Sequence, residues 1–91
     1  MNRENAKKEE VIEVVREYLL EEFLPGEDPE ALEDSMALLS SGIIDSIATT
    51  KLVLFLEERF FVRFEAHEVT VDYLNSLNDI ANTILEKVKG K

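Results

Sequence analysis

The 91-residue chain contains no cysteine and no tryptophan, and its only histidine is His67. Without cysteine, a disulfide framework, a zinc site built on thiolates and a thiol nucleophile are all excluded. One histidine and no tryptophan leave little material for a metal site or for stacking on nucleic-acid bases. Any chemistry that this chain performs must therefore rest on other residue types.

Long apolar runs are also missing. The longest uninterrupted run, residues 52–56, is far too short to span the roughly 30 Å hydrocarbon core of a bilayer. Residues 1–10 are rich in charge and contain no apolar h-region, so we expect no signal peptide. These patterns favour a cytoplasmic protein that does not insert into a membrane.

Positive charge is scarce, with 10 basic against 20 acidic side chains and a formal net charge of -10. Such a chain repels nucleic acids and anionic lipid surfaces, so neither is expected as a partner. The acidity is consistent with docking to basic protein surfaces, or with no more than keeping a small domain soluble. Hydrophobic residues make up 45% of the chain, which predicts one folded domain, residues 1–91, and we expect a monomer.

Helical periodicity dominates the first half of the chain. An amphipathic helix is predicted over about 5–23, and Pro25-Gly26 ends it. The connection over 25–45 is expected to include a short helical turn opened by Pro29. It carries too many apolar side chains for a free loop, so it should lie across the core. These apolar residues are Met36, Leu38, Leu39, Ile43 and Ile44.

A second helix is predicted over 46–60, with Asp45 as its N-cap. Its core face is expected to be formed by Ile47, Leu52, Leu56 and Phe60. An extended loop should follow it, then a short helical turn at 71–74 and a last helix over 76–89 that begins with Ser76 as its cap. The pattern predicts an all-α, up-down bundle of three main helices plus a short fourth.

Ser46 is the candidate for chemistry, because it opens the second helix after a long loop. Its hydroxyl would lie beside unpaired backbone N–H groups, where the helix dipole favours a phosphate. No Gly-x-Ser-x-Gly or Ser-x-x-Lys arrangement is present to activate it, so Ser46 looks like an attachment point that another enzyme modifies. The alternative is that Asp45-Ser46 is an ordinary helix cap.

The surroundings of Ser46 resemble the acyl and peptidyl carrier protein family. The likeness is carried by residues 38–47 (LLSSGIIDSI), together with Leu52-Val53 and the LEERF segment at 56–60. Residues 62–64 (VRF) and 75–80 (NSLNDI) also look like that family. The resemblance thus extends over nearly the whole chain.

The resemblance implies that Ser46 receives 4′-phosphopantetheine from coenzyme A, through a separate magnesium-dependent phosphopantetheinyl transferase. The terminal thiol of this arm would carry an acyl or aminoacyl group as a thioester, so the chain would be a carrier and not an enzyme. Asp45 and Ile47 match the residues that flank the modified serine in the family. The arm would explain how a chain without cysteine performs thiol chemistry.

The second helix departs from the pattern of many fatty-acid carriers, which show acidic residues along this helix for basic partners to bind. Here residues 48–51 are Ala-Thr-Thr-Lys, and acids return only at Glu57 and Glu58. The SGIIDS run at 41–46 looks more like stand-alone carriers loaded by adenylate-forming ligases, such as D-alanyl, other aminoacyl or specialised acyl carriers. Acyltransferases and synthases are the other partners that the resemblance implies.

Five residues of the second helix are predicted to contact partners: Ile47, Leu54, Phe55, Glu57 and Glu58. For Leu54 and Phe55 the alternative is that both complete the core under the long loop. The competing function is an acidic helical interaction module that docks a basic partner without any prosthetic group.

Overall fold

The computed structural model describes the backbone of residues 3–89 and the side chains of residues 7–28 and 30–89. Residues 3–89 form four α-helices: α1 (Arg3–Glu22), α2 (Ser46–Phe60), α3 (Val71–Leu74) and α4 (Leu77–Lys89). Two short 3₁₀ turns lie at Pro29–Ala31 and Ala66–Glu68, and residues 3–89 contain no strand. The all-α bundle of three main helices and a short fourth is confirmed.

The predicted helix bounds differ from the observed ones by at most two residues. The 3₁₀ turn at Ala66–Glu68 was not predicted. Residues 1–10, for which no signal peptide is expected, lie partly outside the described residues. Within residues 3–89, no helix has the length and apolar character needed to cross a membrane.

One apolar core is shared by all four helices and the long loop. The ten largest fully buried side chains are Ile12, Val15, Leu19, Leu38, Leu52, Leu56, Leu74, Leu77, Ile80 and Ile84. Each contributes about 1.5–3 kcal/mol by leaving water. Within α1, Ile12 is buried whereas Val14 is only half-buried. The core face of α1 is therefore turned slightly toward Ile12.

The predicted core face of α2 was wrong for Ile47, whose side chain is 71% exposed. The buried residues of this helix are Ala48, Thr49, Leu52, Val53 and Leu56. Ile47 lies about 200° around the helix axis from Thr49, on the opposite side. Thr49 tolerates burial because its hydroxyl donates to the carbonyl of Asp45 at 2.7 Å.

The loop before α2 lies across the core, as its apolar content predicted. Leu32, Leu38 and Ile44 are at most 3% exposed, whereas Ile43 reaches 37%. Arg16 of α1 fastens this loop, since its Nε donates to the carbonyl of Leu32 at 3.1 Å. The same guanidinium also pairs with two carboxylates, those of Glu13 and Asp34.

The segment after α2 is an extended loop, in agreement with the prediction. Phe61 ends α2 in the left-handed conformation, with φ of 57°, and its side chain is 78% exposed. The carboxylate of Glu57 accepts from the Phe64 N–H at 2.9 Å. Further along, Lys87 of α4 donates to Glu68 at 2.6 Å, and both side chains are largely buried. These contacts hold the α2–α3 connection against the bundle.

Candidate attachment site at the start of α2

Asp45 caps α2 and determines where the helix begins. Its backbone is extended (φ -86°, ψ -174°), and its Oδ1 accepts from the Ala48 N–H at 2.8 Å. Its carbonyl oxygen accepts from both the N–H and the hydroxyl of Thr49, at 2.8 and 2.7 Å. The predicted N-cap is therefore present, and it leaves the next residue as the first of the helix.

Ser46 is that first residue, and it is exposed. Within the described part of the chain, its hydroxyl makes no hydrogen bond, and its carbonyl accepts from the Thr50 hydroxyl at 3.1 Å. The N–H groups of Ser46 and Ile47 precede the first intrahelical bonds and have no partner among the described residues. Ser46 therefore combines a free hydroxyl with two backbone donors and the positive end of the helix dipole.

No side chain among residues 7–28 and 30–89 hydrogen-bonds the Ser46 hydroxyl, so none of them is placed to act as its base. The exposed ring of His67 lies 3.7 Å from the Glu65 carboxylate and makes an edge contact with the ring of Tyr73. The Asp45 carboxylate is engaged in the cap. Residues 3–89 also hold no group of three or more His, Cys, Asp or Glu side chains that suits a metal ion. The geometry suits a serine that is modified from outside.

An open groove of about 610 Å³ runs beside Ser46. Its walls come from the loop residues Leu39, Gly42 and Ile44, from the first turn of α2, and from the segment 69–71. Apolar side chains and threonine hydroxyls share this lining. Such a groove can accept an elongated arm that carries both amide groups and methylenes.

The loop that forms one wall of this groove folds back on itself. The N–H of Ile44 donates to the carbonyl of Leu38 at 3.0 Å, which joins the two ends of the loop. Gly42 turns the chain with φ of +83°, and its N–H donates to Leu39 at 3.1 Å. A left-handed turn of this kind favours glycine because it lacks Cβ. Residues 40–42 thus form a defined turn.

Asn75, which follows α3, is a residue that the sequence patterns missed. Its Oδ1 accepts from the N–H groups of Leu39 and Ser40, at 3.0 and 2.9 Å. Its Nδ2 donates to the Ser40 hydroxyl at 3.1 Å, and its carbonyl accepts from the Leu38 N–H at 2.6 Å. An asparagine before a helix cap resembles any turn residue, so no local signal indicates this role.

The residues predicted to contact partners differ in their exposure to solvent. Ile47 and Leu54 are 71% and 59% exposed, and their spacing of seven residues puts them on one face of α2. Phe55 is half-buried and stacks on Tyr18 with ring centroids 4.0 Å apart. Leu54 therefore faces solvent, while Phe55 packs at the margin of the core.

The two acids of α2 also differ. Glu57 is half-buried and engaged with the backbone of Phe64, whereas Glu58 is exposed. Glu57 therefore has a structural contact that the sequence did not indicate. A role of the five α2 residues in partner binding stays a prediction.

A small helical bundle with a capped, exposed serine at the start of its second long helix has the arrangement of a carrier protein. No protein-family model matches the chain. A curated D-alanyl carrier protein of Streptococcus sanguinis is 34% identical over 79 residues, which cover 87% of this chain and 91% of that protein.

D-alanyl carrier proteins of Streptococcus gordonii and Streptococcus thermophilus show the same identity and coverage. The chain belongs to the stand-alone carrier protein family of which these proteins are members. Like its relatives, it is a carrier and not an enzyme.

Proposed function

We propose that this chain is an aminoacyl carrier that holds its cargo as a thioester on a 4′-phosphopantetheine arm attached to Ser46. The observation that carries the proposal is the exposed, unbonded Ser46 hydroxyl next to the Asp45 cap, in a member of a carrier family. A phosphodiester at this position would meet the free N–H groups of Ser46 and Ile47 and the helix dipole.

Attachment requires an external enzyme. The Oγ–P bond to Ser46 forms while a P–O bond in the pyrophosphate of coenzyme A breaks, and 3′,5′-ADP leaves. Because no base lies against Ser46, the proton of its hydroxyl must pass to a base of a phosphopantetheinyl transferase. Once bound, the arm supplies the thiol that this cysteine-free chain lacks.

The proposed cargo is D-alanine, loaded by an adenylate-forming ligase that uses ATP. The relatives are named D-alanyl carrier proteins, and the aligned region covers most of both chains. The absence of acids over residues 48–51 supports a partner other than the fatty-acid enzymes. Dependence on coenzyme A and ATP is consistent with a cytoplasmic carrier.

The attachment step is tested by incubating the protein with coenzyme A, Mg²⁺ and a broad-specificity transferase, and then measuring its intact mass. We expect a gain of one phosphopantetheine group that disappears in Ser46→Ala. Ser41→Ala is the matched control. The Ser41 hydroxyl donates to the Ala37 carbonyl at 2.6 Å and is not the expected acceptor, so this variant should gain the same mass as the wild type. No gain in the wild type would favour the acidic interaction module instead.

The cargo is tested on the modified protein with ATP and a D-alanine-activating ligase. A thioester to D-alanine that hydroxylamine releases would support the proposal. L-alanine with the same ligase, and an acyl donor with fatty-acid enzymes, serve as the comparison reactions. Charging by the fatty-acid enzymes alone would refute the aminoacyl assignment while leaving the arm on Ser46 intact.

A further inference from the structure

Asn75 holds the loop that leads to Ser46, across 35 residues of sequence. Three hydrogen bonds join its side-chain amide to Leu39 and Ser40, all between 2.9 and 3.1 Å. Its own backbone is anchored as well, because Leu74 before it is fully buried and Ser76 after it is 7% exposed. The amide therefore reaches the loop from a fixed point of the fold.

No other side chain from outside the loop hydrogen-bonds residues 39–43 in the described part of the chain. Buried Leu38 and Ile44 anchor the two ends of the loop. Between those ends, the remaining bonds are local, such as Gly42 to Leu39 and Ser41 to Ala37. Loss of the Asn75 amide would thus free the middle of the loop while its ends stay attached.

The freed segment lies where a partner must approach. Leu39 and Gly42 line the groove beside Ser46, so an enzyme that reaches the Ser46 hydroxyl also meets this loop. Ser46 itself is positioned by the Asp45 helix cap, which has no hydrogen bond with Asn75. The position of the reacting hydroxyl and the shape of the surface around it are therefore controlled separately.

We propose that Asn75 is a positioning residue, which keeps loop 39–43 in the conformation that the transferase acting on Ser46 binds. This inference rests on the proposed function. Because the cap keeps Ser46 in place, removal of the amide should raise the KM of the transferase for the carrier and leave kcat almost unchanged. A purely structural residue would raise the apparent KM only by lowering the folded fraction, so KM is calculated from the concentration of folded carrier measured by circular dichroism, and on that basis such a residue would leave KM unchanged.

The test compares transferase kinetics on four variants of the full chain. Asn75→Ala removes all three bonds, and we expect KM to rise about tenfold, which corresponds to about 1.4 kcal/mol. Asn75→Asp keeps an acceptor for both N–H groups and should stay within about twofold of wild type. Asn82→Ala is the matched control, because Asn82 is an exposed asparagine of α4, and its KM should equal that of the wild type.

A second variant and a second readout cover the case in which Asn75→Ala fails to fold. Asn75→Gln keeps the amide but displaces it by one methylene, and it should also raise KM. Hydrogen exchange at the Leu39 and Ser40 amides should accelerate in Asn75→Ala and Asn75→Gln, and stay slow in Asn75→Asp and Asn82→Ala.

Equal KM values for wild type, Asn75→Ala and Asn75→Gln would overturn the inference while the modification of Ser46 stands. Faster exchange without a change in KM would overturn it as well, because the loop would then move without any effect on the partner. A wild-type chain that gains no mass would overturn the proposed function together with this role of Asn75.

Discussion

Replacing Asp45 by alanine separates the structural role of this residue from the chemical role proposed for Ser46. The substitution removes the single bond from the Ala48 N–H to Oδ1, at 2.8 Å. The two bonds to the Asp45 carbonyl belong to the backbone and remain. Asp45 is exposed, so water can partly replace the lost acceptor. We therefore expect a loss of about 1 kcal/mol in the free energy of unfolding, the usual cost of a lost cap.

Two further variants serve as references for the stability loss expected in Asp45→Ala. Asp45→Asn keeps an acceptor for the Ala48 N–H and should change stability by less than about 0.5 kcal/mol. Ser46→Ala removes no hydrogen bond within the described residues and should stay in the same narrow range. The contrast between Asp45→Ala and Ser46→Ala is therefore the quantity to measure.

Urea unfolding followed by far-UV circular dichroism measures these differences. In thermal unfolding, the same loss of about 1 kcal/mol corresponds to a fall of about 4–8 °C in Tm for a domain of this size. If Ser46→Ala destabilises the protein as much as Asp45→Ala, Ser46 has a structural role and the attachment argument loses its basis. If Asp45→Asn lowers the free energy of unfolding as much as Asp45→Ala, the cap does not act through its hydrogen-bond acceptor.

Three further predictions concern the scaffold. Arg16→Ala should cost about 2–3 kcal/mol in urea unfolding, because the carbonyl of Leu32 and two carboxylates lose a charged donor; a cost below 0.5 kcal/mol would contradict the role of Arg16. Phe61→Gly should stabilise the protein by about 1 kcal/mol, because the left-handed φ favours glycine and the exposed ring has little packing to lose; a lower Tm would show that the ring packs. The N–H of Glu65 and then Lys87 hold the pKa of Glu68 below its ordinary 4.5, so the folded state binds this proton more weakly than the unfolded state. The stabilisation by ionised Glu68 should be complete above pH 4.5 and be lost as the pH falls through the lowered pKa of the folded state. The difference in free energy of unfolding between wild type and Glu68→Gln should therefore shrink from pH 6 to pH 3, and a constant difference would refute this role of Glu68.

The features that sequence predicted best are those with a local cause. The start of α2 follows from the Asp45 carboxylate, which bonds three residues along the chain, and its agreement with the prediction is complete. The apolar loop before α2 was also expected to cover the core, because exposure of Leu38 and Ile44 would be unfavourable.

The features that sequence did not predict depend on contacts between distant segments. The helical spacing predicts Ile47 on the core face, but α2 buries Thr49 on the opposite side and leaves Ile47 in solvent. Arg16 and Asn75 make polar contacts with residues that lie 16 and 35 positions away in the sequence, and such contacts leave no periodic pattern. They become apparent only once the fold brings the partners together, and those of Asn75 hold the loop that lines one side of the groove beside Ser46.

Site-resolved mass spectrometry shows directly whether the Ser46 hydroxyl carries the phosphopantetheine arm. The protein is treated with coenzyme A and transferase and digested, and the peptide that spans residues 40–51 is fragmented. We expect one added phosphopantetheine group located on Ser46 in the wild type, and none in Ser46→Ala. An unmodified peptide, or a group located on Ser40, Ser41 or a threonine of α2, would contradict it.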